Sequence, residues 1–204
     1  MWQNPTPRHL VEMFSTGALR TNATGIARPE PRNGAIPPRS EPGCHIATHR
    51  GFQWASRLPW LDAQMLTRFD VQLSPDPLLP LEQYAIGGRY TVRGYRENTL
   101  VRDQGFNASV ELRIPIFERI QPAILIELAP FADVGRSWNN SREGSFANTR
   151  PETLASVGVG VRTLLLRRVF GELYWGHLLK HIRDLGDSDL QDDGIHFRLG
   201  LTWP

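Results

Sequence analysis

The residues best suited to a specific chemical role lie in one long connection, residues 74–103. It contains Gly87-Gly88 and then Val92-Arg93-Gly94-Tyr95. Glycine adopts backbone conformations that are closed to other residues, and Gly94 stands between an arginine and an aromatic side chain. A loop this long is usually functional or disordered, and these residue types favour a function. Only tertiary partners could hold such a loop in one place.

Other residues with reactive or ligating side chains form no convincing site. No Ser/His/Asp or paired-carboxylate arrangement stands out, so we predict no enzyme activity. His177 and His181 have the i, i+4 spacing of a metal pair, but that spacing needs a helix and the flanking pattern is a strand. Gly158-Val159-Gly160 lies inside a strand pattern with no helix after it, unlike a dinucleotide motif. We therefore predict no metal and no cofactor.

The composition narrows the class of protein. The 204 residues include 18 glycines and 16 prolines, which favours a turn-rich β-protein. Lys+Arg number 23 and Asp+Glu 21, so there is no basic excess for nucleic acid. The single cysteine, Cys44, excludes an internal disulfide framework. The sequence contains no run of about eighteen apolar residues that would predict a transmembrane helix. A transmembrane strand, in contrast, needs only about ten residues of alternating character.

From about residue 50 onward, apolar and polar residues alternate with a period of two, which indicates antiparallel strands. In Gln104–Ile116, for example, Phe106, Val110 and Ile114 oppose Asn107 and Glu111. We expect about eight strands. The other predicted strands are 9–24, the least clear of them, and 51–58, 62–73, 123–134, 153–163, 169–177 and 195–203.

The connections between these strands alternate in length. Residues 115–122 and 164–168 form short turns, whereas residues 74–103, 135–152 and 178–194 form long loops. Short turns on one side and long loops on the other are typical of an antiparallel transmembrane β-barrel.

The chain divides into three regions. Residues 1–25 are an uncertain strand region, and residues 51–204 carry the clear strands. Residues 26–50 hold five prolines and many arginines without any period, and we interpret them as a disordered loop or as sequence out of frame. The start of the chain lacks the pattern of a secretory signal peptide, which an outer-membrane protein needs, so if the chain forms an outer-membrane barrel we expect it to be a fragment.

Two motifs together resemble a known family. Gly87-Gly88 with residues 92–98, Val-Arg-Gly-Tyr-Arg-Glu-Asn, is similar to the signature loop of the hemolysin secretion/activation (two-partner secretion) transporters, within the superfamily of the BamA-type assembly factors. Phe131-Ala132-Asp133-Val134-Gly135 matches the superfamily's Phe-x-Asp-x-Gly motif, two strands after the loop. The resemblance extends from about Phe52 to the C-terminus.

The resemblance implies an architecture and a site. The complete protein would have two periplasmic POTRA domains before a barrel of about sixteen strands, of which this chain is the C-terminal half. The loop would fold back into the lumen, hinged at Gly87-Gly88, and Arg93 would pair with Asp133 on the barrel wall. The alternation agrees, because Asp133 is in phase with Phe131 and opposite the face of Ile124 and Ile126.

The resemblance also implies the function and the partners. The protein would translocate an exoprotein of hemolysin or adhesin type across the outer membrane, in contact with lipid and lipopolysaccharide. The assembly machinery would recognise the aromatic pattern of the last strand, Phe197 and Trp203.

Two alternatives remain open. One is a BamA/TamA-like insertase of outer-membrane proteins. The other is a soluble ligand-binding β-barrel, which predicts that Met65, Phe69, Val110 and Ile126 face inward.

Overall fold

The computed structural model describes residues 10–14, 19–22, 44–140, 151–166, 168–180 and 193–202. The predicted all-β antiparallel fold is confirmed, since these residues are strands and connecting loops, with one short 3₁₀ helix at Pro59–Leu61. None of the helical structure described is long and apolar enough to cross a membrane. The strands are β1 Leu10–Phe14, β2 Leu19–Asn22, β3 Cys44–Leu58, β4 Ala63–Leu73, β5 Tyr84–Ile86, β6 Leu100–Arg102, β7 Gln104–Arg119, β8 Ile124–Trp138, β9 Glu152–Leu165, β10 Val169–Leu178 and β11 Ile195–Leu201.

One large antiparallel sheet carries the site. Its strand order is β1-β3-β4-β7-β8-β9-β10-β11, with β2 paired to β3. Within the described residues this path runs from β1 to β11 without joining its ends. The strands β5 and β6 form a separate hairpin that packs against β7 and β8. The part of the chain between β4 and β7 is therefore a long excursion from the sheet that returns to lie on it.

The alternation along the strands gives the sheet two unlike faces. On one face, Ser109, Asp133 and Ser156 lie side by side on three neighbouring strands, and all are buried. The opposite face is apolar and uncovered: Phe69 and Val110 are 40% and 42% exposed. The soluble alternative requires these two residues, with Met65 and Ile126, to face inward, and the exposure of Phe69 and Val110 does not support it. We call the two surfaces the polar face and the apolar face.

The apolar core lies on the polar face, beneath the long loop. It is a cluster of loop residues packed with Leu154 of β9. The loop members are Tyr84, Ile86, Val92, Tyr95 and Leu100.

Two of the expected connections are shorter than predicted: β8 continues to Trp138, four residues into the expected loop 135–152, and the turn before it is also shortened. The β7–β8 turn is shorter than residues 115–122, because β7 continues through Arg119. The register shifts between Pro115 and Phe117, where proline has no N–H to donate to the ladder. The strand therefore passes the proline by a bulge instead of ending there.

A second correction concerns residues 44–50, which fall in the segment expected to be irregular. They belong to β3, which begins at Cys44 and not at Gly51, and they pair with the end of β4. All five prolines of that segment precede Cys44, so nothing in residues 44–50 prevents a strand. Residues 26–43 lie outside the described part of the chain.

Candidate functional site

The loop that carries Val92-Arg93-Gly94-Tyr95 begins from the β5–β6 hairpin, an element that the sequence did not predict. Gly87 and Gly88 follow β5 directly and have φ values of 112° and 101°, a region that favours glycine. Gly88 N donates to Val92 O at 3.1 Å, and Asn98 N donates to Gly87 O at 3.3 Å. The two glycines thus turn the chain into a compact loop tip.

Val92 fixes the loop tip to the sheet through apolar packing. Its side chain is fully buried in the core cluster with Ile86. The wall position beneath them is Gly135, where an added Cβ would lie 2.7 Å from Ile86 Cγ2 and 2.9 Å from Val92 Cγ2. A side chain at residue 135 would therefore separate the loop from β8.

Arg93 and Asp133 form a bidentate ion pair on the polar face. Arg93 Nε donates to Asp133 Oδ2 and Nη2 donates to Oδ1, both at 2.8 Å. The backbone N–H of Arg93 also donates to Oδ2, at 3.0 Å. The two side chains are 4% and 0% exposed. Parallel charge-assisted bonds of this kind fix orientation as well as distance.

A second carboxylate completes the environment of Arg93. Its Nη1 forms an ion pair with Glu111 on β7, and Nη2 donates to Ser109 Oγ at 3.0 Å. Glu111 also accepts a bond from Arg113 Nε at 2.8 Å. The buried Arg93 guanidinium therefore lies between two buried carboxylates, those of Asp133 and Glu111, so its charge is paired, as buried charges require.

Two aromatic rings lie against the Arg93 guanidinium. Its Cζ is 3.8 Å from the centre of the Phe131 ring and 5.0 Å from that of Tyr174. These are cation–π distances. Each residue of the Phe131-x-Asp133-x-Gly135 motif thus serves the loop in a different way. Phe131 offers a ring face to Arg93, Asp133 offers a carboxylate, and Gly135 leaves the space that Ile86 and Val92 fill.

The electrostatics keep Arg93 charged. Burial by itself would lower the pKa of Arg93, but the hydrogen bonds and negative charge of Asp133, with those of Glu111, outweigh it and raise the pKa.

Gly94 brings the loop backbone against the last two strands. Its φ is 92°, and an added Cβ would lie 3.0 Å from the carbonyl oxygen of Gly176 on β10. Gly94 N donates to His196 Nε2 on β11 at 3.1 Å. His196 must therefore present a lone pair at Nε2, as the neutral Nδ1–H tautomer does.

Tyr95 reaches the far edge of the site. Its ring lies in the core cluster, and its Oη is 3.1 Å from Ala155 O and 2.5 Å from Lys180 O. The hydroxyl also accepts from Ala155 N at 3.3 Å. The tyrosine thus joins the loop to the end of β10 and to β9.

The structure brings together the two motifs singled out in the sequence. Phe197 lies on the apolar face of β11, 73% exposed and away from the loop, and Trp203 lies outside the described residues. Sequence reasoning gave no role to several residues that contact the Val92–Tyr95 segment, among them Glu111, Tyr174, Gly176 and His196. The period-two alternation along each strand places these four on the polar face, and this alternation is the feature of the sequence that could have identified them.

The described residues contain no group of three or more His, Cys, Asp or Glu side chains arranged to hold a metal ion.

Comparison with protein families identifies the family of the chain. The family model of the haemolysin secretion/activation protein ShlB/FhaC/HecB matches residues 46–163. This span is more than half of the chain and contains both the loop and the Phe131–Gly135 motif. A search of curated proteins found no match.

Proposed function

Because this chain belongs to the haemolysin secretion/activation protein family ShlB/FhaC/HecB, whose members secrete and activate partner proteins at the outer membrane, we propose that it translocates an exoprotein of hemolysin or adhesin type. The observation that carries the proposal is the buried Arg93–Asp133 pair. It holds a long loop on the polar face, where a conduit for an unfolded chain would need a wall of fixed shape. No chemistry on the substrate is required.

The two faces of the sheet support a location in the outer membrane. The apolar face suits contact with lipid and lipopolysaccharide, while the polar face suits a water-filled lumen. The alternating sequence of residues 195–203, with the aromatic residues Phe197 and Trp203, suits recognition by the outer-membrane assembly machinery. We assign the loop a role in shaping the conduit.

Replacement of Arg93 tests this role. In the full-length protein, Arg93→Ala leaves Asp133 buried without its bidentate partner, and loss of one member of a buried pair costs about 3–5 kcal/mol. We expect secretion of the exoprotein to fall at least tenfold while the protein still reaches the outer membrane. Arg93→Lys, which keeps the charge but not the planar fork, should retain an intermediate level.

The matched control is Arg119→Ala, which removes an exposed arginine at the other end of β7. It should secrete at the wild-type level. Wild-type secretion by Arg93→Ala would remove the loop from the mechanism, and equal losses in both variants would show that the effect is not specific to the pair.

A further inference from the structure

The loop carries a second arginine, Arg89, that also reaches the wall of the sheet. Its guanidinium forms an ion pair with Glu172 of β10, and the two side chains are 13% and 14% exposed. Glu172 belongs to neither sequence motif. This contact is therefore separate from the Arg93–Asp133 pair.

Glu172 is part of a row of charges that runs across three strands of the polar face. In register, Glu127 of β8 lies opposite Arg162 of β9, which lies opposite Glu172. Arg162 donates to Glu172 Oε1 from Nε and Nη2, at 3.3 and 3.2 Å, and from Nη1 to Glu127 Oε2 at 3.3 Å. Arg198 of β11, opposite Glu172, extends the row to a fourth strand, and Glu172 accepts from Arg89 on its other oxygen, Oε2.

The loop backbone is shaped to present Arg89 to this row. Gly88, at φ 101°, turns the chain immediately before it, and Thr91 N donates to Gly88 O at 3.3 Å. The backbone N–H of Arg89 donates to Glu97 Oε1 at 2.8 Å. This bond joins the two segments of the loop tip, before and after Val92–Tyr95, at Arg89 itself.

The two ion pairs contact the sheet at well-separated places. Asp133 lies opposite Ser156 of β9, whereas Glu172 lies opposite Arg162, six residues further along β9, which is about 20 Å at the usual strand rise of about 3.3 Å per residue. The contacts of the loop tip described above leave from the segment Val92–Tyr95, and Arg89 adds one from the other side of the tip. Contacts at different heights fix the direction of the loop as well as its place.

We propose that Arg89 and Glu172 are positioning residues that form a second anchor of the loop and set its direction across the polar face. The proposal rests on the proposed function, since the direction matters only if the loop shapes a conduit.

Ion conductance of the full-length protein in planar lipid bilayers tests the second anchor. Arg89→Gln and Glu172→Gln should each raise the frequency of current fluctuations at least threefold, because a pivoting loop alternately opens and blocks the lumen. The double variant should show no more than Glu172→Gln alone, since that change already removes the partner of Arg89. Arg89→Lys should return most of the wild-type behaviour. Heat-modifiable gel migration verifies that each variant has a folded barrel.

The matched control is Arg198→Gln. Arg198 lies opposite Glu172 on β11, in the same row, but stacks on the Phe170 ring at 4.9 Å. It should behave as wild type. Wild-type traces from both Arg89→Gln and Glu172→Gln, additive effects in the double variant, or an equal effect of Arg198→Gln would each overturn the second anchor. Secretion by Arg93→Ala is measured alongside, because it tests the proposed function independently of the second anchor. Wild-type secretion by Arg93→Ala would contradict the proposed function, whereas the conductance results bear only on the Arg89–Glu172 pair.

Discussion

At the scale of single residues, the site is a set of contacts in which each motif position has one physical task. Arg93 supplies a planar fork that meets Asp133 with two parallel bonds, and its flat face lies on Phe131. Gly94 and Gly135 supply the space that lets the loop backbone and Val92 approach the wall. The ion pair and the close backbone contacts therefore depend on each other. If the loop backbone could no longer approach the wall at Gly94 or Gly135, the Arg93–Asp133 pair should weaken as well.

Gly94→Ala tests that dependence. Alanine is strained at a φ of 92°, and its Cβ would lie 3.0 Å from Gly176 O, so we expect the docked loop to lose about 1–3 kcal/mol. Limited proteolysis of the full-length protein should cleave the loop several times faster than in wild type.

Gly171→Ala is the control for this change, on the same strand as Gly176. Its added Cβ would meet the side-chain hydroxyl of Thr163, at 2.9 Å, and not the loop. Its loop should be cleaved at the wild-type rate. A wild-type rate for Gly94→Ala would mean that the backbone contact at Gly176 does not hold the loop.

At the scale of elements, the base of the loop is tied by Asp103, which follows β6. Its Oδ1 accepts from Leu78 N at 2.9 Å and from Gln83 Nε2 at 3.0 Å, and its Oδ2 accepts from Asn140 N at 2.8 Å. One buried carboxylate thus joins both ends of the excursion to the chain that follows β8. The hairpin that presents the Arg93 tip depends on this joint.

Asp103→Asn should loosen the base of the loop, because an amide has one acceptor oxygen where the carboxylate has two. Loss of hydrogen bonds to a buried charged group costs about 1.5–3 kcal/mol each. We expect the temperature at which the folded form is lost on heat-modifiability gels to fall by several degrees.

Asp76→Asn is the matched control, since the backbone of Asp76, and not its carboxylate, makes the bonds to Ser74. It should melt like wild type. Equal melting of Asp103→Asn and wild type would show that the joint contributes little.

At the scale of the whole molecule, the sheet separates an uncovered apolar face from a polar face that the loop covers. Val157, Val159 and Val161 of β9 are each 38–41% exposed, while Ser156 and Gly160 between and beside them are buried. A soluble protein rarely leaves so continuous an apolar surface in water. We therefore expect this surface to contact lipid in the outer membrane.

Val159→Arg places a charge near the middle of β9 on this face. The cost near the bilayer midplane is about 2–4 kcal/mol, so the amount of folded protein in outer-membrane fractions should fall several-fold. Leu81→Arg, at a fully exposed loop position, should leave that amount unchanged. Normal levels of Val159→Arg would contradict contact between this face and lipid.

The sequence by itself determined the class of fold, the alternation of faces and the two motifs of the site. Strand parity is a local property, because successive side chains point to opposite faces whatever the partner strand is. That rule placed Asp133 on the face opposite Ile124 and Ile126. The length of β3 and the end of β7 were less predictable, since a strand continues wherever a neighbour can pair with it, as the end of β4 does for residues 44–50.

Only the tertiary structure decided which polar side chains meet the loop. Glu111, Tyr174 and His196 share the polar face with many other residues, and their contacts with Arg93 or Gly94 depend on the stagger between strands and on where the loop comes to rest. The Arg89–Glu172 pair joins residues 83 positions apart, which no local pattern relates. Sequence alternation fixes the side of the sheet, whereas the height along a strand is set by long-range pairing and packing.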